Sequence, residues 1–395
     1  METHVHEIAR SLFSLIPPDI GIDLGTANTV VYVRGRGILF QEPSVVARSR
    51  KTRDILAVGS EAKRMIGKAP HAIEVIRPLR NGVIADLEAA EAMLDVYIHR
   101  ICDTYPLSFL TKPKVVIGIP SGITEVERRA VQSAAVGSGA GQAWLIEEPM
   151  AAAVGAGLNV LEPEGRMVVD IGGGTTEIAV ISLGGIVLSK SLHMAGDALD
   201  ETVASFVRTR YGVIIGETTA EQTKIAIGSA YPFEQGQAEE DGGVKQGDAE
   251  KMKGVLEKRK RSEAKQIAEK KAAEKLMYQH VVRGRDVESG LPRSVKVQSG
   301  ELREALSPVI QQIITGVMET LEETPPELVA DILKHGIVLA GGSAQLRGLE
   351  ERLAEESHMP VWTATEPYLA VARGCGIALE NPALLKHIRV SGKFV

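Results

Sequence analysis

The feature that most constrains this chain is a glycine-containing turn that follows an apolar strand at two places. Residues 20–26 read IGIDLGT, and residues 167–176 read MVVDIGGGTT. Each stretch predicts a buried strand, an aspartate, and a turn whose glycines let backbone N–H groups approach an anion closely. One such turn is a common strand connection. Two copies predict a pair of phosphate-binding turns that face each other across one polyphosphate.

These two turns and a third one supply the candidate ligand-binding residues. An aspartate beside a phosphate-binding turn can hold Mg²⁺, usually through water molecules, because Mg²⁺ dehydrates reluctantly. The third turn follows an apolar strand at 337–340, and its glycine pair can lie flat against the sugar or first phosphate of a nucleotide. The candidate residues are Asp23, Gly25, Thr26, Ala27 and Asn28 in the first turn, Asp170, Gly172, Gly173, Gly174, Thr175 and Thr176 in the second, and Gly341, Gly342 and Ser343 in the third.

The composition is that of a globular protein and argues against several other classes. The chain has 395 residues, which is long enough for two hydrophobic cores, and 44% of its residues are hydrophobic and 24% charged. A net charge of −6 and an aromatic content of 4% disfavour nucleic acid as a partner. Cys102 and Cys375 suggest no disulfide framework, and no apolar run reaches the roughly 18 residues that span a bilayer. With no secretion signal recognisable, the protein is expected in the cytoplasm.

Hydrophobic periodicity predicts strands and helices that alternate along the chain. A helix from 123 is expected to begin with a capping box formed by Thr124 and Glu127. The predicted strands are 20–34, broken at its turn, 36–47, 114–119, 143–146, 166–170, 176–182, 185–192, 336–340 and 360–363, with a hairpin over 278–298. The predicted helices are 60–70, 86–103, 123–137, 148–157, 197–211, 218–229, 301–323, 344–356 and 367–379.

This alternation predicts an α/β fold with two lobes, each carrying a smaller subdomain. The ligand is expected in the cleft between the lobes, at the carboxyl ends of the strands. The predicted divisions are an amphipathic extension over 1–18, lobe I over 19–157 with a small subdomain at 46–78 and completion by 375–395, and lobe II over 158–374 with a small subdomain at 195–300 that contains a charged insertion at 235–276.

Familiar motifs of other nucleotide and metal sites are absent from the sequence. There is no GxxxxGK[ST] segment, no GxGxxG with a downstream acid, and no zinc-type spacing of histidine and cysteine. Many consecutive segments instead resemble the MreB family of bacterial actin homologues, from about residue 19 to 385. The segments that carry the resemblance are IDLGTANT, EPSVVA, NGVIAD, GITEVERRA, IEEPMAAAVGAG, VVDIGGGTTEIAVISLGG, GSAYP, TPPELVADI and VARGCGIAL.

The resemblance implies an actin-like fold of the actin, DnaK-chaperone and sugar-kinase ATPase superfamily, with ATP and Mg²⁺ in the cleft. Asp23 and Asp170 would then lie around Mg²⁺. Glu148 matches the residue that orients or activates the attacking water, and Thr175 matches its partner at the γ-phosphate. Physical chemistry supports the role of Glu148, since phosphoryl transfer depends on positioning and electrostatics; its alternative role is a charge favourable to a helix N-terminus.

The same resemblance assigns the other end of the nucleotide. Glu221 and Lys224, in AEQTK, match the residues that contact the ribose and the adenine, and Gly341 with Gly342 matches the adenosine motif. The chain departs from the family pattern at Ser343, because AGGSAQL stands where TGGGALL is usual. It also has AEQTK in place of AERIK, the insertion at 235–276 and a longer N-terminal extension.

Two apolar segments are candidate membrane contacts. The N-terminal segment is predicted as a short amphipathic helix whose apolar residues include Ile8, Leu12 and Phe13. A second segment carries Leu107, Phe109 and Leu110 ahead of two lysines. The family has a hydrophobic membrane loop at the second position. The alternatives are that the helix packs on its own lobe and that the loop is a corner of a small core. The lysine- and arginine-rich stretch at 251–277 predicts a solvated helix or a contact with anionic lipid or an acidic partner.

The function that the resemblance implies is that of a weak ATPase that polymerises. Such a protein forms filaments of paired protofilaments on the inner face of the cell membrane and works with cell-wall elongation proteins in rod-shape determination. An actin-like filament that segregates or positions cargo is the alternative. A DnaK-type chaperone is disfavoured because no peptide-binding segment follows residue 385. A small-molecule kinase would need a substrate pocket with a catalytic aspartate, and Glu148 and the MreB-like helices argue against it.

Overall fold

The computed structural model describes residues 16–80, 82–106, 111–232 and 278–389. Several predictions fall outside these residues: the N-terminal helix with Ile8, Leu12 and Phe13, the loop with Leu107, Phe109 and Leu110, and the charged insertion at 235–276. No helix in the described ranges is long and apolar enough to cross a membrane.

The chain divides into two compact units. The first takes its residues from Met1–Ala198, Val309–Gln345 and Glu350–Val395, and the second from Leu199–Pro308 and Leu346–Leu349. The lobe and subdomain boundaries expected from the sequence remain a prediction.

The strands alternate with helices as the periodicity predicts. The strands are β1 (Ile20–Leu24), β2 (Asn28–Val33), β3 (Gly37–Pro43), β4 (Val46–Ser49), β5 (Ile55–Val58), β6 (Ile73–Ile76), β7 (Leu79–Arg80), β8 (Val83–Ile84), β9 (Lys114–Ile119), β10 (Gln142–Glu147), β11 (Arg166–Ile171), β12 (Thr176–Ser182), β13 (Gly185–Leu192), β14 (Val213–Ile214), β15 (Gln279–Asp286), β16 (Pro292–Gln298), β17 (Ile337–Ala340) and β18 (Val361–Thr363). The helices are α1 (Ser60–Met65), α2 (Leu87–Cys102), α3 (Glu125–Gly137), α4 (Glu148–Gly155), α5 (Gly196–Tyr211), α6 (Glu217–Ile227), α7 (Ser299–Glu323), α8 (Pro326–His335), α9 (Leu349–Ser357), α10 (Ala370–Glu380) and α11 (Pro382–Ile388).

The first unit contains two five-stranded sheets that have the same topology. Their strand orders are β10-β9-β1-β2-β3 and β13-β12-β11-β17-β18. In each sheet three consecutive strands form an antiparallel meander, and two later strands add in parallel beside the first. The repeated turn in the sequence therefore marks a repeated sheet, and Asp23 and Asp170 occupy the first strand of their respective sheets.

Helices α2 and α3 cover the first sheet, and α4 and α10 pack on strands of both sheets. One core cluster joins α2 and α3 with β1 and β9, while another joins α4 and α10 with Val116 and Ile146 of the first sheet and Val168 and Ala179 of the second. The start of α3 has the predicted capping box, in which Thr124 and Glu127 bond each other's backbone N–H groups. Helices α4 and α10 therefore pack against both large sheets through one shared core cluster.

The structure departs from the sequence expectation in a few elements. The strand expected over 36–47 is interrupted after Pro43, so that β3 belongs to the first large sheet and β4 to a three-stranded sheet with β5 and β6. Proline donates no ladder hydrogen bond, which explains why pairing ends there. The helix expected over 344–356 is a 3₁₀ turn at Gly342–Gln345 followed by α9, separated by Gly348 at a φ of 73°. The short strands β5, β6, β7, β8 and β14 and the helices α8 and α11 were not predicted.

The second unit has a three-stranded antiparallel sheet of order β14-β15-β16. Strands β15 and β16 form the predicted hairpin. Helix α6 belongs to this unit and buries Ala220, Thr223 and Ile227 on one face.

Candidate functional site

The two glycine turns meet in the first unit. A Cβ atom added at Gly173 of the second turn would lie 2.5 Å from the Cβ of Ala27 in the first. Gly82 lies between the two turns: its N–H donates to Thr26 Oγ1 at 3.2 Å, and a Cβ added to it would lie 2.9 Å from Thr175 Cγ2. The turns therefore face each other at van der Waals distance, and side chains larger than those present would separate them.

Hydrogen bonds hold the carbonyl groups of the first turn away from its centre. Ser44, which directly follows β3, donates from Oγ to the carbonyl oxygen of Gly25 at 2.6 Å and from its N–H to that of Ala27 at 3.0 Å. Ser44 is fully buried and its Oγ also lies 2.9 Å from Thr29 Oγ1. The first turn is thus fixed from outside by one buried serine.

The second turn is held in the same way by other elements. Ser343 Oγ donates to the carbonyl oxygen of Gly172 at 2.8 Å, and the N–H of Gly196 donates to the same oxygen at 3.2 Å. The N–H of Asp197 donates to Gly173 O at 2.7 Å. Gly25 and Gly172 each stand two residues after their aspartate, so a serine hydroxyl binds the equivalent carbonyl in both turns.

With the carbonyls engaged, the turns present N–H groups. Within residues 16–80, 82–106, 111–232 and 278–389, no backbone carbonyl accepts a hydrogen bond from the N–H groups of Thr26, Ala27, Gly173 or Gly174. Backbone N–H groups exposed by a glycine turn form an anion-binding nest. The exposed N–H groups of the two adjoining turns therefore fit the phosphates of a single ligand.

Acidic side chains gather behind the turns. Asp23 pairs across the sheet with Gly118, and a Cβ added at Gly118 would lie 3.5 Å from Glu148 Cγ, so glycine there leaves room for the glutamate. Glu148 is the first residue of α4 and is buried. Asp170 pairs with Glu177 across β11 and β12, and both are buried.

Burial raises the pKa values of these carboxyl groups, and their mutual repulsion adds to the effect. The pKa of Asp23 is raised by burial to about 7. The pKa of Glu148 is raised well above its usual range by burial and by the charges of Asp23, Glu177 and Asp170. The pKa of Asp170 is raised in the same way by burial and then by Asp23 and Glu177. Buried carboxylates in such a group are stable as charges only beside a cation.

The donor set suits Mg²⁺ held through water. The described part of the chain contains no group of three or more His, Cys, Asp or Glu side chains placed to ligate a metal ion directly. Mg²⁺ usually keeps several waters and takes one or two carboxylates together with substrate phosphates. Asp23 and Asp170, one from each sheet, fit that requirement.

The third turn abuts the second aspartate. Gly341 follows β17 at a φ of 83°, and a Cβ added to it would lie 2.5 Å from Asp170 Oδ1. A side chain at Gly342 would meet only Tyr368 Cβ at 4.0 Å. Position 341 therefore requires glycine, because its φ is positive and Asp170 leaves no space for a Cβ atom. The surface beside Gly342 is open.

The remaining predicted residues lie around or apart from this group. Thr26 and Thr175 are buried, and Asn28 is the exposed first residue of β2. Glu221 and Lys224 lie on α6 in the second unit, where Lys224 Nζ is 3.0 Å from Asp200 Oδ1. The predicted residues of the three turns, with Glu148, thus come together in the first unit, and Glu221 and Lys224 share a helix in the second.

Sequence reasoning assigned no role to Gly82, Ser44 or Glu177. Gly82 and Ser44 stand in the NGVIAD and EPSVVA segments, far along the chain from the turns that they contact. Glu177 directly follows the second turn, and the pairing of β11 with β12 could have placed it opposite Asp170. The position of Glu177 beside Asp170 could therefore have been predicted from the sequence of this one segment.

Comparison with known proteins identifies the family. The sequence model of the MreB/Mbl protein family matches residues 17–246 and 250–387. The chain belongs to the MreB/Mbl family. MreB of Escherichia coli strain K12, a cell shape-determining protein, is 45% identical over 376 residues, which cover 94% of this chain and 95% of that protein. Mbl of Bacillus subtilis strain 168, also a cell shape-determining protein, is 43% identical over 373 residues, covering 94% and 99%.

Solved structures agree with the MreB/Mbl assignment. The crystal structure of Spiroplasma citri MreB5 bound to ADP superimposes with a TM-score of 0.77 at 34% identity, covering 93% of this chain and 97% of that one. A double helical filament of MamK superimposes with a TM-score of 0.68 at 21% identity, covering 92% and 98%, which shows the shared fold. The predicted actin-like fold and the predicted family are confirmed, and this MreB/Mbl protein is a bacterial actin with a role in cell shape.

Proposed function

We propose that this MreB/Mbl protein binds ATP with Mg²⁺ between the two glycine turns and hydrolyses it slowly. The observation that carries the proposal is the contact of Gly173 with Ala27, which brings two N–H-lined turns together over a group of buried carboxyls. Related MreB5 of Spiroplasma citri has been solved with ADP and with AMPPNP, which supports an adenine nucleotide as the ligand. Phosphates supply the negative charge that the turns can bind, and Mg²⁺ would supply the positive charge that the carboxylates need.

In this proposal each turn has a separate task. The N–H groups of Thr26, Ala27, Gly173 and Gly174 bind phosphate oxygens, and they need no reorganisation because Ser44 and Ser343 already hold the turns. Preorganised donors stabilise charge that develops in a transition state more effectively than mobile ones. Mg²⁺ held through water by Asp23 and Asp170 would neutralise charge on the phosphates.

Glu148 is the proposed acceptor for the attacking water. It lies at the start of α4 beside Gly118 and is buried among other carboxyls. Its raised pKa makes it a stronger base than a solvent-exposed glutamate, so that it can hold a water in line and take its proton. Thr175, whose side chain lies against Gly82, is proposed to orient the same water near the γ-phosphate.

At the other end of the nucleotide, Glu221 and Lys224 are proposed to contact the ribose and the adenine. Gly341 and Gly342 are proposed to lie against the adenosine. The open surface at Gly342 supports this, since a Cβ there would meet no atom closer than 4.0 Å.

We further propose that the protein polymerises into filaments of paired protofilaments on the inner face of the cell membrane. Membership of the MreB/Mbl family supports self-assembly, and work with cell-wall elongation proteins is part of the proposal. Leu107, Phe109 and Leu110, together with Ile8, Leu12 and Phe13, are proposed to insert among lipid headgroups. Many subunits in one filament multiply weak anchors, so that a single subunit needs little affinity for lipid.

The test combines phosphate release with electron microscopy and liposome pelleting of the full chain. The proposal predicts ATP hydrolysis, filaments with ATP, and co-pelleting with anionic vesicles. A variant with serine at 107, 109 and 110 should hydrolyse ATP and polymerise but pellet less with lipid. Absence of filaments at every protein concentration, with and without lipid, would overturn the proposal; unchanged pelleting of the triple variant would overturn the role of the loop alone.

A further inference from the structure

Glu177 is a buried acidic residue next to the proposed phosphate site that has no counterpart in the first sheet. It pairs directly with Asp170 across β11 and β12. Residues that lie opposite each other on antiparallel strands project to the same face, with Cβ atoms about 4.5–5.5 Å apart. In the first sheet the residue opposite Asp23 is Val30. The second sheet therefore carries one additional carboxyl group at this position.

The two oxygens of Glu177 have different surroundings. Ser191 Oγ donates to Glu177 Oε1 at 2.6 Å. Glu177 Oε2 is buried without a hydrogen-bond partner among the described residues, and the side chain is only 1% exposed. A buried carboxylate oxygen without a donor is destabilising, so packing alone does not explain the residue.

The neighbours of Glu177 place it inside the same electrostatic group. Its charge contributes to the raised pKa values of both Glu148 and Asp170, and it stands directly opposite Asp170 in the sheet. Burial raises its own pKa and the charge of Glu147 adds to this, whereas the Ser191 hydrogen bond, the nearby Ser121 backbone N–H and the charge of His193 lower it.

We infer that Glu177 is a second water-orienting carboxylate of the hydrolytic site, with Oε2 as the acceptor. This inference rests on the proposed function and extends it. A water that donates one hydrogen to Glu148 and the other to Glu177 has both O–H bonds fixed. One lone pair of that water is then directed at the phosphorus, which is the orientation that in-line attack requires.

Hydrolysis by this water requires no proton transfer to Glu177. The water oxygen forms a bond to the γ-phosphorus as the bond from that phosphorus to the ADP oxygen breaks. The hydrogen that the water donates to Glu148 passes to the Glu148 carboxylate as a proton and is later released to solvent. The second hydrogen stays on the oxygen and leaves with inorganic phosphate, and Glu177 serves only as its hydrogen-bond acceptor.

The test is the Glu177→Gln variant of the full chain, assayed for ATP turnover, ATP affinity and melting temperature. Glutamine keeps the size of the side chain and an oxygen for Ser191, but it replaces the acceptor Oε2 with a donor. Turnover should fall about 10- to 100-fold with a Kd for ATP that stays within about threefold. Without nucleotide and metal, the melting temperature of the variant should be higher than that of the native chain, because one of the mutually repelling carboxylates has been removed.

Glu301→Gln is the matched control, because Glu301 of α7 is a half-buried glutamate that also accepts a hydroxyl hydrogen bond, from the Tyr211 hydroxyl at 2.6 Å. It should change turnover less than about threefold. Unchanged turnover in Glu177→Gln with intact ATP binding would overturn the inference and leave the proposed function standing. A lower melting temperature of unliganded Glu177→Gln would also overturn it, since that result indicates a structural role. Failure of the native chain to bind ATP would instead overturn the proposed function.

Discussion

The hydroxyl of Ser343 donates to the carbonyl oxygen of Gly172 at 2.8 Å and so joins the third glycine turn to the second. Ser343 is also the residue at which the resemblance to the family led us to expect glycine. The side chain that was predicted to contact a nucleotide is therefore bound to the protein's own backbone, where it holds the phosphate turn.

Removing this hydroxyl should loosen the second turn. In Ser343→Ala, Gly172 O keeps the Gly196 N–H at 3.2 Å but loses the shorter bond. A hydrogen bond of this kind contributes about 0.5–1.5 kcal/mol, so we expect ATP affinity to weaken about two- to tenfold. Equilibrium titration with ATP measures this. Ser343→Thr, which keeps the hydroxyl, is the control and should bind more tightly than the alanine variant; equal affinities would count against the role of this bond.

Gly341 and Gly342 offer a matched pair of substitutions. Alanine at 341 would need a φ of 83° and would place its Cβ 2.5 Å from Asp170 Oδ1. We expect Gly341→Ala to lower the free energy of unfolding by about 2–4 kcal/mol, and Gly342→Ala to change it by less than about 0.5 kcal/mol. Chemical denaturation of both variants measures the difference. Similar stabilities would contradict the close approach of Gly341 to Asp170.

Stability without metal and nucleotide should depend on pH through Asp23. Its pKa rises from an ordinary 3.8 to about 7 on folding, so the folded chain binds more protons than the unfolded chain between these values. The stability that protonated Asp23 contributes is fully present below pH 3.8 and is lost as pH rises through about 7. The loss is at most about 4 kcal/mol. Native and Asp23→Asn chains should therefore differ more in melting temperature at pH 8 than at pH 5, with the asparagine variant higher. A constant difference across this range would show that the pKa is not raised.

Glu148→Gln tests the proposed base. Glutamine retains the size of the side chain but accepts no proton, so turnover should fall about 100-fold or more while ATP still binds. Single-turnover hydrolysis with a parallel binding titration measures both quantities. Turnover that equals that of the native chain would remove Glu148 from the mechanism.

The sequence predicted the turns well because their chemistry is local. IGIDLGT and MVVDIGGGTT each contain the strand, the aspartate and the glycine within one short segment, and the structure places both at equivalent positions of two like sheets. The capping box at Thr124 was predictable for the same reason. The family assignment rested on long matching segments and is confirmed.

Contacts between segments that are separated along the chain could not be predicted from the sequence in the same way. Ser44 reaches Gly25 only because Pro43 ends β3 beside the first turn, and Gly82 reaches Thr26 and Thr175 through tertiary packing. Glu177 was overlooked although strand pairing could have placed it opposite Asp170. Short elements such as β5, β6 and α11 carry too few periodic residues to predict.

We propose above that the two facing turns and their carboxyls bind ATP together with Mg²⁺. Calorimetric titration of the native chain with ATP, in the presence and absence of Mg²⁺, tests it most directly. We predict binding at a single site whose affinity increases at least about tenfold with Mg²⁺, because Asp23, Asp170 and the phosphates then share a cation. Absence of ATP binding, or an affinity that Mg²⁺ leaves unchanged, would contradict the account.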